Sequence, residues 1–352
     1  MTLDKKILIC YNEPIKYYNN YLGKEIHEEH QDIDLSERDF LKQIDNIQKI
    51  LQKKYFTVDT LPINRNIQQA IKKITNYSPD AILNFVESVE GNSNLESYFT
   101  GLYDLLNIPF TGNNSTCLGN CLVKERTKQI LHSHGVRTPK HVIAEINKVP
   151  KENKFILKYP VILKLATEDA SIGISEFSVV NNYESLKERL NYLFTSFNQN
   201  VIIEEYIDGR ELNVAILGNE ILPISEIIFD GLPDDLPKII TYEAKWSPES
   251  IYYKNTSGRC PAQLDKKIKK RIEKIALTSF HALECRDYAR VDIRLSTKNV
   301  PYVIEINPNP DISPDSGFVR SANAAGISYE QLINKILTFA LQRAHYDTQI
   351  AI

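Results

Sequence analysis

No stretch of the 352-residue chain approaches the ~18 consecutive apolar residues of a membrane span. The amino-terminal MTLDKKILIC carries only a four-residue apolar run, too short for a secretory signal core of ~7–15 residues. A cytoplasmic protein with no membrane partner is therefore expected. An excess of one charge is also missing: the formal net charge is −3, which offers no electrostatic reason to bind nucleic acid. The cysteines, Cys10, Cys117, Cys121, Cys260 and Cys285, are odd in number and show no CxxC spacing, against a disulfide framework or a structural zinc site. Cys117 and Cys121 can share a helix face and read as small buried hydrophobes. The GxxxxGKS/T and GxGxxG strings of common nucleotide loops are absent. So is any persuasive Ser/His/Asp or Cys/His set for covalent catalysis. Neither internal repeats nor low-complexity tracts occur.

A content of 42% apolar and 25% charged residues is that of a soluble globular protein. The length exceeds one typical domain of ~100–200 residues, so two or three are expected. Lys6 to Cys10 reads as a buried strand, the recurrence of Leu41, Ile44, Ile47 and Leu51 as a helix, and Tyr55 to Leu61 as an alternating strand. A helix over Ile67 to Ile74 and a strand over Ala81 to Val86 continue a parallel α/β layer. Short β pieces around Thr138 to Ala144 and Val161 to Leu165, with helices near Leu122 to His134 and Ser185 to Phe194, suggest a smaller α+β module. In VIIEEYIDGRELNVAILGNEILPISEII (201–228) two long strands are expected to flank a turn at Gly218–Asn219–Glu220. The Lys-rich run Lys266 to Lys274 alternates with Ile268 and Ile272 at helical spacing and reads as a solvated helix face.

The densest chemistry lies in DYARVDIRL (287–295) and YVIEINPNP (302–310), joined by a polar turn. Val291, Ile293 and Leu295 alternate with Arg290, Asp292 and Arg294, and Ile304 and Ile306 with Glu305 and Asn307. Burying both apolar rows puts Arg290, Asp292, Glu305 and Asn307 on one face. Two carboxylates and an amide oxygen suit a hard cation that shares its ligands with phosphate. The prolines that follow end the strand and send the chain into the loop 311–318. In YPVILKLATEDASIGIS (159–175) Lys164 ends an apolar strand before a loop of small residues whose amides can cap a phosphate. Taken alone, Lys124 in VKERTK (123–128) is a surface helix lysine, and Glu204 and Glu211 are solvated strand-end carboxylates.

The ordered segments LNIPFTGNNS, VKERTK, VILKLATEDASIGIS, EEYIDGRELNVAILG, YEAKW, YARVDIRL, YVIEINPNP and AAGISYEQLI resemble the ATP-grasp superfamily, and within it the D-alanine–D-alanine ligase-like proteins, from about Asp80 to Leu332. The resemblance implies an α/β fold with α+β elements, in three α/β domains: residues 1–120, a central module 121–203 and a carboxy-terminal module 204–352. ATP would lie between the last two. It implies that Lys124 and Lys164 bind nucleotide with Ser171 of the small loop, that Glu204 and Ile207 contact adenine, and that Glu211 meets the ribose. Lys245 would approach the phosphates from the opposite side, Arg290 would support the transferred phosphoryl group, and Ser316 would hold a substrate carboxylate. Asp292, Glu305 and Asn307 would be ligands of magnesium or manganese. The implied reaction transfers the γ-phosphate of ATP to a carboxylate and gives the acylphosphate to an amine, releasing ADP and phosphate.

Departures from the family pattern concern substrate. The family's Gly-rich opening ending in a Glu is here ILICYNEP (7–14), with Glu13 as the counterpart, and its substrate-side Tyr and Ser correspond to Trp246 and Ala170. Its Gly beside the reacting centre is Asp311. The expected substrates are a small carboxylate and an amine, of amino-acid type, with D-alanine one candidate; a homodimer is compatible with the resemblance. Competing readings are a phosphotransferase that releases the phosphorylated carboxylate and an ATP-binding module without chemistry.

Overall fold

Apolar strands alternating with amphipathic helices build a parallel layer from the first part of the chain. The computed structural model describes residues 2–13 and 35–350. Strand β1 (Leu3–Asn12), helix α1 (Leu35–Gln52), β2 (Tyr55–Ile63), α2 (Ile67–Tyr77) and β3 (Ala81–Phe85) form a parallel sheet of order β2-β1-β3. Because successive side chains of β1 face opposite ways, Ile7 and Ile9 enter one core while Leu8 and Cys10 enter another. The second core is closed by α2 and α3 (Glu96–Leu105) through Ile74, Phe99 and Tyr103. The segment 108–115, which reads as turns, also starts a helix: Asn114 caps α4 (Ser115–Leu122) by accepting from Cys117 N.

The central part holds α5 (Lys124–Ser133), β4 (His141–Ala144), β5 (Val161–Leu165), β6 (Val179–Val180), α6 (Tyr183–Phe197) and β7 (Val201–Glu205). Its strands form a second sheet of order β4-β7-β5-β6, antiparallel throughout, with α6 packed on one face.

The third sheet is antiparallel and contains β8 (Gly209–Leu217), β9 (Glu220–Ile221), β10 (Ser225–Ile228), β11 (Ser257–Arg259), β12 (Tyr288–Ser296) and β13 (Pro301–Asn307). Its order is β11-β10-β8-β12-β13, with β9 paired to β8. Helices α7 (Tyr242–Trp246) and α8 (Ile251–Lys254) lie between β10 and β11, and α9 (Lys266–Ala282) covers the apolar face through Ile272, Ala276 and Phe280. Two sequence expectations change here. The long strand expected ahead of Gly218 is cut at Tyr206–Asp208, so that β7 and β8 belong to different sheets. The expected Ile304–Ile306 row is broken because the β12–β13 register slips between Asp292 and Ile293; Val303 takes the buried slot and Ile304 turns out of it.

The chain ends on α10 (Gly317–Ala324) and α11 (Tyr329–Ile350). Leu332, Ile333, Ile336 and Leu337 of α11 pack with Ile7, Ile9, Leu83 and the α1 side chains Ile47 and Leu51. Each such burial contributes about 1.5–3 kcal/mol, so the last helix completes the first layer. A buried carboxylate reinforces the closure: Asp287 accepts from the half-buried Arg343, Nη2 at 2.9 Å, and from the Gly112 amide at 2.9 Å. Asn tolerates the left-handed backbone of Asp287, whose φ is 58°, so Asp287→Asn removes the charge without straining the turn. It is expected to lower unfolding free energy by about 2 kcal/mol, measured by urea denaturation; a change under about 0.5 kcal/mol would rule out a structural role for the charge.

Candidate active site

The second and third sheets meet at a cleft lined by charge. Lys124 stands at the start of α5, where Val123 interrupts the helical run between α4 and α5 with an extended ψ of 97°. Its Nζ lies 3.0 Å from Asp169 and 3.0 Å from Glu305 of β13, and donates to the Glu168 carbonyl at 2.5 Å. It is 8% exposed, so the solvated helix lysine suggested by local sequence is replaced by a group bridging two sheets. Burial alone would depress its pKa, but the carboxylates of Asp169 and Glu305 outweigh that and raise it.

Lys164, on β5, points at Glu204 of the adjacent β7, with Nζ to Oε2 at 3.1 Å, and Lys128 approaches the other oxygen at 2.9 Å. Glu204 is 1% exposed and therefore is not the solvated strand-end carboxylate that local reading gives. Burial pushes its pKa up, and Lys128 and Lys164 overcome this and pull it to about 2. Lys128 escaped sequence reasoning, although its four-residue spacing from Lys124 puts both on one face of α5. Its Nζ also donates to the Ile304 carbonyl at 3.4 Å, beside the slipped register of β13.

On the third sheet, Arg290 stands opposite Asn307 and Asp292 opposite Glu305. Arg290 grips Asp292 with two bonds of 2.8 Å, and the same carboxylate accepts from Asn213 at 2.7 Å and Asn307 at 2.9 Å. The polar face expected of the hairpin is thus assembled, with Asn213 added from β8. Burial would raise the Glu305 pKa, yet Lys124, Lys164 and Lys245 hold it at about 2. Asp292, Glu305 and the Asn307 amide oxygen are hard donors on one face with their charge partly balanced by Lys124 and Arg290. This set fits magnesium.

Glu211 is buried on β8 and lies 3.2 Å from Arg294, rather than solvated at a strand end. Arg294, which sequence reading did not single out, also donates to the carbonyls of Gly209 and Lys238. Ile207 sits in the link between the two sheets. Ser171 and Ala170 both take left-handed backbone, φ 62° and 53°, in the loop after β5. That loop is tied to α7 by a bond from Tyr242 N to the Ile174 carbonyl, 3.0 Å. From α7, Lys245 comes within electrostatic range of Arg290, Glu305, Asp292 and Asp311. Ser316 caps α10, its Oγ accepting from Val319 N at 3.3 Å, which leaves the hydroxyl proton available.

The positions that depart from the family pattern also have settled partners. Glu13 accepts from Asn64 at 3.0 Å on the amino-terminal sheet; Pro14, which ends ILICYNEP, lies outside the described residues. Trp246 is 45% exposed and packs against the Tyr242 ring at 6.4 Å. Asp311 accepts from both the amide and the hydroxyl of Ser313, each at 2.7 Å. The start of this loop is docked on the amino-terminal part: Asn309 Oδ1 accepts from Asn113 N at 3.0 Å, and a Cβ at Gly112 would come within 2.3 Å of that oxygen.

Two sheets closing on a cleft of paired lysines and carboxylates define an ATP-grasp enzyme, a ligase that joins a carboxylate to an amine with ATP and magnesium. Residues 132–338 match the family described as D-ala D-ala ligase C-terminus, and the chain belongs to the D-alanine–D-alanine ligase family. It is 32% identical over 264 residues to the uncharacterized protein y4sG of Sinorhizobium fredii, covering 74% of this chain and 75% of that one. The D-alanine–D-alanine ligase of Carboxydothermus hydrogenoformans is 29% identical over 87% of this chain and 95% of its own. In structure, the chain is similar to D-alanine–D-alanine ligase from Bacillus anthracis complexed with ATP, with a TM-score of 0.73, 24% identity and coverage of 98% of this chain and 100% of that one. Like its family, the enzyme acts on small amino-acid substrates. Among the described residues no helix is long and apolar enough to cross a membrane.

Replacing Glu204 by Gln leaves Lys128 and Lys164 facing a neutral amide, and is expected to destabilise the fold by about 3 kcal/mol at neutral pH. The folded pKa of Glu204, about 2, lies below its ordinary 4.5, so its stabilisation is fully present above the latter and is lost as pH falls through the former. The gap in unfolding free energy between wild type and Glu204→Gln should accordingly close across that window. A pH-independent gap in urea titrations would refute the charge argument.

Proposed function

We propose that the cleft carries out the ligase reaction with the residues in these roles. Lys124, Lys164 and the Ser171 loop receive the nucleotide phosphates, Glu204 holds Lys164 and Lys128 in position at the adenine side, Ile207 offers backbone to the purine, and Glu211 meets the ribose. Asp292, Glu305 and Asn307 hold magnesium, which when bound neutralises the terminal phosphates. Lys245 and Arg290 sit where charge develops on the transferred phosphoryl group, and Ser316 donates to a substrate carboxylate. A substrate carboxylate oxygen attacks the γ-phosphorus and ADP leaves; the amine nitrogen then attacks the acyl carbon, loses a proton and expels phosphate. Nothing in this sequence needs a protein nucleophile; it needs positioning and charge balance. The observation that carries the reading is the Lys124–Glu305 contact of 3.0 Å, which joins a phosphate-directed lysine at the start of α5 to a metal-directed carboxylate on β13. The proposed modules are 1–120, 121–203 and 204–352.

Glu305→Gln is expected to reduce turnover at least ~100-fold while leaving the fold intact, because one negative charge is lost without a cavity. ADP release and circular dichroism check this, and near-normal ADP release from the folded variant would remove the metal assignment. Wild-type products should be ADP and phosphate; pyrophosphate would exclude the mechanism.

The relatives named D-alanine–D-alanine ligases raise the question of D-alanine here. With Trp246 and Ala170 in place of a Tyr and a Ser, the hydroxyls of that substrate network are gone: an indole donates but does not accept as a phenol does. Loss of such partners discriminates by as much as ~10⁴-fold. Synthesis of D-alanyl-D-alanine is expected to be slow beside the best amino-acid pair, as product mass spectrometry across a panel would reveal. A comparable rate with D-alanine would defeat this expectation.

A further inference from the structure

The cleft face of the third sheet carries a polar row that runs past the metal-directed residues. Glu305 stands opposite Asp292, Asp292 opposite Asn213, and Asn213 opposite Ser225. The row ends in a guanidinium: Arg320 Nη1 donates to Ser225 Oγ at 3.2 Å. Arg320 belongs to α10, one turn after Ser316, to whose carbonyl its amide donates at 3.0 Å. Its head occupies the place where a side chain on Gly258 of β11 would stand, since a Cβ there would lie 2.0 Å from the guanidinium carbon. Gly317 adjoins both groups: a Cβ built there would lie 3.5 Å from Asn213 Oδ1 and 3.9 Å from Arg320 Nη1.

Arg320 is held by neutral acceptors, the Ser225 hydroxyl and, at 3.4 Å, the Asp315 carbonyl. Among the described residues no carboxylate comes within ion-pair distance of it. Asp315 attracts it only at longer range while its own side chain is exposed, and Arg290 repels it. A planar fork of donors with no anion to match is suited to take a carboxylate through two parallel bonds.

We propose that Arg320 receives a second carboxylate on the amino acid seated at Ser316, so that this ligase joins an acidic amino acid of the aspartate or glutamate type. The inference rests on the ligase reading above and on Ser316 as its carboxylate donor. Gly258 admits the guanidinium, and Ser225 orients it.

The test measures ADP release by the full chain with ATP and magnesium, using aspartate, glutamate, asparagine, glutamine and alanine in both configurations, alone and in pairs. Acidic substrates should exceed their amides by ~100-fold in kcat/KM. Arg320→Gln should raise KM for the acidic partner by at least ~30-fold, Arg320→Lys should restore part of it, and Gly258→Leu, which displaces the guanidinium while keeping it in the chain, should mimic the loss. Calorimetric titration of aspartate against asparagine, with a non-hydrolysable ATP analogue present, reads binding apart from turnover. ADP formed equally with acids and amides, or an acid preference that survives in folded Arg320→Gln, overturns the inference and leaves the ligase standing. Absence of ADP with every pair overturns the ligase reading, and this inference falls with it.

Discussion

Charges removed from water must be matched where they are buried, and here the matching is done both within the second sheet and across to the third. Lys124 is held by one carboxylate from its own side of the cleft and one from the other; Glu204 is held by Lys128 and Lys164. Losing either partner leaves a desolvated charge, at a cost of several kcal/mol, and the two Lys124 contacts tie the loop after β5 to β13. Two of these lysines, Lys124 and Lys164, are those proposed to meet the nucleotide. Carboxylates that hold them in place before the phosphates arrive reduce the reorganisation needed at the moment of reaction.

The hairpin at the centre of the site was legible because it depends on local rules. Alternation along β12 and β13 forces Arg290, Asp292, Glu305 and Asn307 to one side whatever lies around them, and the structure pairs them as expected. The slip that turns Ile304 outward was not legible, since a bulge is set by what the partner strand and a distant Lys128 require. The same limit applies to β7 and β8. Their sequence is one apolar run with a short polar interruption, and only the two sheets they join reveal that Tyr206–Asp208 is a crossing.

Lysines illustrate the other half of the difficulty. Local reading of VKERTK makes Lys124 a surface helix lysine, because nothing nearby in sequence shows that it is buried. The carboxylates that bury them come from Asp169, Glu204 and Glu305, as far as 181 residues away in sequence for the Lys124–Glu305 pair, from 305 minus 124. Arg294 and Arg320 received no role from sequence for the same reason: each acquires its meaning from a partner on a strand distant in sequence, Glu211 in one case and Ser225 in the other. Cys285 likewise joins Cys117, with sulfurs 3.5 Å apart, only in the folded core.

The packing of α11 against β1 and α1 bears on how the polypeptide is made. Translation delivers the first layer early, but Leu332, Ile333, Ile336 and Leu337 are needed to cover Ile7, Ile9 and Leu83. Until the ribosome has released that helix, the part of the nascent sheet's face that α1 does not cover stays open to solvent, a state prone to wrong association. The second sheet and its helix α6 draw their core from residues 142–203 alone and can settle as they emerge.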